Sequence, residues 1–166
     1  MGGSTLDSEK LLDETGWRIL RELQGNARIT FSELGRRVAL TPPAVADRVR
    51  RLEEAGVIRG YHLEVDREAL GLPVLAFVRI SATGAKCTEL AVEISGFPEV
   101  LECHRVTGEE AFIAKVAVRS VAHLQDLIDR LMPYGETITS IVLSSPVTHR
   151  VVDRESANGE VAERRA

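Results

Sequence analysis

The sequence predicts an α+β fold in two parts, an all-helical head and a β-α-β-β-α-β module. Three observations predict it. The first third holds three short apolar stripes at helical spacing, each opened by a residue able to cap a helix. Beyond residue 73 the pattern changes to strand-like apolar runs separated by two further helical stripes. Charge is also uneven along the chain. Seven arginines (28, 36, 37, 48, 50, 51 and 59) meet only four acids between Arg28 and Arg59, although the whole chain carries a net charge of −4. A basic head on an acidic body keeps a positive field local, which suits an anionic partner such as nucleic acid.

The first stripe is Leu12, Ile19, Leu20 and Leu23, with Asp13 as N-cap and Gly25-Asn26 as the stop. A second helix starts at Thr30, where Thr30 and Glu33 form a T-x-x-E capping box and Ile29 with Leu34 sit at staple positions. Its residues Phe31, Leu34 and Val38 are expected to face inward. A third helix follows almost at once. Thr41 is its expected cap, and Pro42 takes the first helical position, where a missing N–H costs nothing. Val45, Val49 and Leu52 make the i, i+4, i+7 stripe that must be buried, and Gly56 ends the helix.

Two capped helices joined by a tight turn, the second with an arginine-bearing outer side, make a helix-turn-helix, here winged-helix-like. With the valine and leucine stripe pinned inward, the other side of the third helix carries Ala44, Asp47, Arg48 and Arg51. Thr41, Pro42 and Pro43 stand at its N-terminal tip. Tip and outer side are expected to enter a major groove. Arg48 and Arg51 would contact base edges or phosphates, and Pro43 and Ala44 a thymine methyl. Arg28, Arg36 and Arg37 are assigned to phosphates.

Val57 to Val65 reads as a connecting strand and Asp66 to Gly71 as a turn, with Gly71-Leu72-Pro73 as the boundary. The second part then runs in order: strand Val74–Ser81, nearly all apolar and so expected to be covered on both faces; a helix on Cys87, Leu90, Ala91 and Ile94, closed by Gly96; strand Val100–Val106; a turn at 107–110; strand Ala111–Val118. Ser120 caps a helix whose expected inward stripe is Val121, Leu124, Leu127, Ile128 and Leu131, and Thr137–Ser144 is the last strand. This order is the split β-α-β of ferredoxin-like folds, which puts both helices on one face and leaves the other for a partner. The expected domains are therefore 11–60 (helix-turn-helix), 61–73 (linker strand and hinge), 74–150 (ferredoxin-like) and 151–166 (polar tail without order).

Composition adds limits. With 44% hydrophobic and 28% charged residues the chain reads as soluble. No apolar run approaches the roughly 20 residues of a membrane span. Met1 to Thr5 offers no basic stretch before an apolar core, so no secretory signal is expected and a cytoplasmic location is. Cys87 and Cys103 are too far apart for a metal knuckle and are expected to be reduced, buried thiols. No metal or cofactor is expected.

Taken in order, these residues resemble the leucine-responsive regulator/AsnC (Lrp/AsnC, feast/famine) family. The carriers are Leu12-Asp13 with Ile19-Leu20, Ser32-Glu33-Leu34, Leu40-Thr41-Pro42, Arg48-Val49-Arg50-Arg51-Leu52-Glu53, Gly56-Val57-Ile58, Gly60-Tyr61, and Glu102 through Gly108. The resemblance spans about Leu11 to Val151. It implies a sequence-specific, DNA-binding transcriptional regulator that dimerises through its C-terminal sheets and often assembles into octamers. Connecting strands, here about Arg59 to Val65, pair between subunits. It also implies an amino-acid or small-metabolite effector between neighbouring C-terminal domains, near Thr107, Gly108, Glu109, Glu110 and Ala111. Three departures stand out. Gly16 and Trp17 replace usual residues of the first helix, with Gly16 where an acid is common. Ala39 stands where a glycine is common in the turn. Ala111 stands where many members carry an aspartate suited to an ammonium group, leaving Glu109 and Glu110 as the nearest carboxylates.

Three other readings compete with this one. A nucleoid-associated architectural protein would use the same arginines on phosphates without reading bases. An enzyme finds little support, because Cys103 and His104 are adjacent on a strand and point to opposite faces, while His62, His123 and His149 are scattered. A ligand-binding subunit acting on a partner protein would have no use for an arginine-lined recognition helix.

Overall fold

A computed structural model describes residues 10–158, which divide into two compact units: 10–63 with 147–158, and 64–146. The residues beyond, including the amino-terminal stretch read for a signal and the last part of the polar tail, lie outside the described residues.

The head contains α1 (Glu14–Gly25), α2 (Phe31–Val38) and α3 (Pro42–Glu54). Asp13 caps α1, accepting from the Gly16 N–H at 2.7 Å, and Thr30 caps α2, accepting from the Glu33 N–H at 3.2 Å. Leu11, Ile19, Leu23, Leu34, Val38, Val45, Val49 and Leu52 close a single core beneath the three helices. Gly16 has a packing reason: a Cβ there would lie 1.9 Å from the Leu11 carbonyl oxygen, so an acidic side chain has no room.

Several expectations need correction. Phe31 is 44% exposed rather than inward: it continues the Leu34–Val38 stripe by spacing, but as the first residue of α2 it stands beyond the head core. Thr41 stands at the N-cap of α3 but makes no side-chain cap bond, so its hydroxyl is left over at the tip. Among the described residues, 59–66 join no ladder. A strand needs a neighbour to take its N–H and C=O groups, and one copy supplies none here. Leu63, at 85% exposure, is left standing in solvent. Ala39 does adopt the left-handed conformation (φ 58°, ψ 43°) that its place in the turn requires.

The second unit contains β1 (Val74–Ser81), α4 (Ala85–Glu93) continued by a 3₁₀ turn, β2 (Val100–Arg105), β3 (Phe112–Val118), α5 (Val121–Leu131) and β4 (Glu136–Ile141). The sheet order is β2-β3-β1-β4 with every neighbour antiparallel, the split β-α-β read from the sequence. Ala76, Val78 and Ile80 of β1 and Phe112, Ala114 and Val116 of β3 pack against Leu90 of α4 and Leu124, Leu127 and Leu131 of α5. Register puts Leu75, Phe77 and Arg79 beside Ala117, Lys115 and Ile113 on the other face. Among the described residues no helix covers that face, and although Leu75 is buried, Phe77 is 40% exposed, so β1 is fully covered on one side only. Ala91 and Val121, expected in the inward stripes, are instead exposed.

The chain then returns to the head. Residues 154–158, read as tail, form a short helix, α6 (Arg154–Asn158), with Asp153 bonding Ser156 at its start. Local capping chemistry supplies order that a lack of apolar periodicity did not suggest.

Candidate nucleic-acid interface

The turn between α2 and α3 depends on backbone closeness. The Ala39 and Leu40 N–H groups both bond the Gly35 carbonyl. A Cβ on Gly35 would lie 2.5 Å from the Leu40 carbonyl oxygen, so only glycine lets α3 start this soon after α2. α3 thereby presents Thr41, Pro42 and Pro43 at an exposed tip, followed by half-buried Ala44 and exposed Asp47 and Arg51.

The arginines divide by partner. Arg36 and Arg37 both bond Glu33 (2.7 Å and 2.8 Å), and Arg37 also reaches Glu22 at 2.7 Å. Arg36 and then Arg37 hold the Glu33 carboxyl down at about 2. Arg50 is shared between Asp47 and Glu54. The Arg51 side chain has no ion pair or hydrogen bond among the described residues, and the Arg28 side chain has none either, only the Arg28 N–H being used by Asn26.

Arg48 has a partner within the head. Expected on the contact side, it instead donates two hydrogen bonds to Asp13, 2.7 Å and 2.8 Å. The reason is positional. Arg48 is three residues past Val45 and four before Leu52, so it flanks the buried stripe and points along the core toward α1. Asp13 already caps α1, and the same carboxylate now joins the first helix to the third. Arg48 draws the Asp13 carboxyl below its ordinary range, with the Gly16 N–H assisting against a small effect of burial. Sequence reasoning found Asp13 as a cap and Arg48 as a charge. Their pairing across 35 residues had no sequence signal.

The five candidate effector residues do come together, in the β2–β3 turn. The Val106 N–H bonds the Ala111 carbonyl (3.0 Å), and the Ala111 N–H bonds the Ile80 carbonyl (2.9 Å), tying the turn to β1. Gly108 carries φ +127°, a conformation L side chains rarely adopt. Thr107, Gly108 and Glu109 are exposed, and Glu110 with Ala111 is half-buried. The two candidate carboxylates differ: Glu110 lies 3.5 Å from Arg79, whereas Glu109 has no partner among the described residues. Nearby, Cys103 pairs with Ala114 on the helix-covered face and His104 with Ile113 on the open one. Both cysteines are free thiols, Cys87 buried and Cys103 half-buried. Among the described residues no cluster of acids, histidines and cysteines is arranged to hold a metal, and no helix is long and apolar enough to cross a membrane.

Similarity to known proteins follows the same division. Residues 12–59 match a winged helix-turn-helix DNA-binding domain and residues 75–152 the Lrp/AsnC ligand binding domain. The chain is 41% identical over 138 residues to the HTH-type transcriptional regulator YezC of Bacillus subtilis, covering 83% of this chain and 98% of that one. It is 35% identical to LrpC of B. subtilis over 80% of this chain and 92% of that one. The LrpC structure superposes with a TM-score of 0.79 over 83% of this chain and 99% of that one. A Neisseria meningitidis transcriptional regulator solved with L-Met superposes with a TM-score of 0.79 at 31% identity, over 85% and 96% of the two chains.

Proposed function

The chain belongs to the Lrp/AsnC family of HTH-type transcriptional regulators, and from that premise we propose which of its residues read DNA and which sense an effector. Its function is sequence-specific DNA binding in transcription regulation. The tip of α3 (Thr41, Pro42, Pro43, Ala44) and its outer side (Asp47, Arg51) lie in the major groove. Arg51 donates to a guanine edge or a phosphate, and the unused Thr41 hydroxyl donates beside it. Arg28 holds a phosphate. Arg36 and Arg37 are secondary contacts, because a phosphate must compete with Glu33 for them. Arg48 acts indirectly, holding α3 to α1. The observation that carries this division is that Arg51 stands exposed and unpaired on α3 while Arg48, three residues earlier, is fully engaged by Asp13.

Copies of the chain pair through the open sheet face, with 59–65 as the strand each lends the other, and such dimers build a higher homo-oligomer, an octamer in the family's usual form. The effector is an amino acid held between copies at 107–111. Glu109 is the carboxylate for its ammonium group, since Ala111 cannot serve and Glu110 is engaged by Arg79. Related regulators crystallised with L-Met support an effector of that class. No cofactor or catalytic step is involved, and a protein reading genomic duplex works in the cytoplasm.

Footprinting on the DNA flanking the protein's own gene, with and without an amino-acid panel, tests the reading. A discrete protected site preferred over random duplex by roughly a thousandfold or more is expected. Uniform affinity for any duplex would leave an architectural protein instead. Glu109→Gln should erase any amino-acid response while leaving the footprint in place.

A further inference from the structure

The chain crosses between its two units twice, at Leu63–Glu64 and at Pro146–Val147, so the head is built from both ends of the described chain. The second crossing brings Val152 against α1. There the Gln24 side chain donates from Nε2 to the Val152 carbonyl and accepts at Oε1 from the Val152 N–H, each at 2.9 Å. One carboxamide thus satisfies both backbone groups of one residue, as a neighbouring strand would. Asp153 follows, bonding the Ser156 N–H at 2.9 Å and hydroxyl at 2.7 Å to start α6. These bonds, with a contribution from Arg21 of α1, hold the Asp153 carboxyl below its ordinary range. Val152 also closes one wall of a cavity of about 460 Å³ whose other walls include Leu12, Trp17, Leu20 and Tyr61. The Lrp/AsnC ligand-binding match ends at residue 152, so α6 is not accounted for by the family pattern.

We propose that residues 147–158 form a latch: Gln24 holds the returning chain on α1, gives the head a second attachment to the sheet module, and by opening lets the head reorient. With the latch closed at Val152, the head is joined through 64–73 and also through residues 142–151, which reach roughly 33 Å at full extension. With it open, only the first connection restrains the head. Each exposed hydrogen bond shifts the closed-to-open ratio by about tenfold or less. That margin is small enough for a change in the sheet module to overcome it, which a switch requires and a permanent second linker would forbid.

The latch itself stands without the regulator reading; its effect on DNA rests on it. Hydrogen exchange on the full chain reads the first. Gln24→Ala should speed exchange at Val152 by roughly tenfold while α1 keeps its protection. Gln24→Glu, which retains only the acceptor, should fall between. Val152→Pro removes the backbone donor without altering α1 and should free 153–158 in the same way. Unchanged exchange across 147–158 in these variants overturns the latch. The second measurement compares duplexes whose two half-sites are one helical turn apart or displaced by about half a turn. Wild type should discriminate between them, and Gln24→Ala should discriminate several-fold less. Equal discrimination by both proteins overturns the coupling to DNA. Failure of wild type to bind either duplex strikes the regulator reading and this coupling together, and leaves the exchange result to decide the latch.

Discussion

The head and the sheet module are completed to different degrees. In the head, eight buried apolar side chains, from Leu11 and all three helices, share one core, and the exposed charges mostly satisfy one another: Arg36 and Arg37 with Glu33, Arg48 with Asp13, Arg50 with Asp47 and Glu54. The sheet module closes one face under α4 and α5 and leaves the other bare, with Phe77 at 40% and Ile138 at 46% exposure. On the proposed reading, the difference follows what each surface meets. Duplex DNA is a hydrated polyanion, so the surface that meets it must be polar and held rigid by its own contacts. A second copy of the chain is met by apolar surface, whose burial drives association.

Charging the bare sheet face should break the comparison most severely. Phe77→Asp with Ile138→Asp is expected to weaken self-association by about 2–4 kcal/mol, read as a fall in mass by sedimentation velocity. An unchanged mass would mean that the face is idle. Next in size is the loss of Arg51, the unpaired arginine of α3. Arg51→Ala should cost about 1–3 kcal/mol of specific DNA affinity in a mobility-shift titration, with melting temperature unaffected.

Arg48→Ala sharpens the contrast within one helix. It should lower head stability by about 1 kcal/mol, because the pair is half-exposed but bidentate and shares its carboxylate with a helix cap. Its DNA affinity should fall less than that of Arg51→Ala. If the order were reversed, Arg48 would leave Asp13 for the duplex and the division proposed here would be wrong. Ala39→Gly works in the opposite direction. Relieving the left-handed alanine should raise the denaturation midpoint by the equivalent of about 0.5–1 kcal/mol, net of the entropy glycine adds to the unfolded chain.

The smallest effect expected is one of pH. The folded Asp13 carboxyl lies below its ordinary value of 3.8, so its contribution is present above that value and is lost as pH falls through the lowered one. Asp13→Asn keeps a capping oxygen and removes the titration. Urea midpoints compared from about pH 5 to about pH 3 should therefore drop further for wild type than for the variant.

Much of this was legible from residues alone. Asp13, Thr30 and Ser120 announced helix starts because capping is local chemistry, settled within four residues. The strand and helix order followed from side-chain period, and Val45, Val49 and Leu52 placed the buried side of α3. Positions near element ends were less legible. Phe31 and Val121 sit where a periodic pattern cannot say whether the stripe has begun, and both are exposed. Residues 59–65 had strand composition, but composition provides no neighbour.

What the sequence by itself determined was the helices and strands from α1 to β4, their order, and the central buried stripe of each helix, since these depend on contacts a few residues apart; α6 and the fate of 59–65 lay outside it. Tertiary structure alone decided which charges remain free. Whether Arg48 or Arg51 faces outward, and whether Gln24 stays idle or grips Val152, depends on groups 35 and 128 positions away. Coulomb and hydrogen-bond partners are chosen by distance in space, and only the packed core sets that distance.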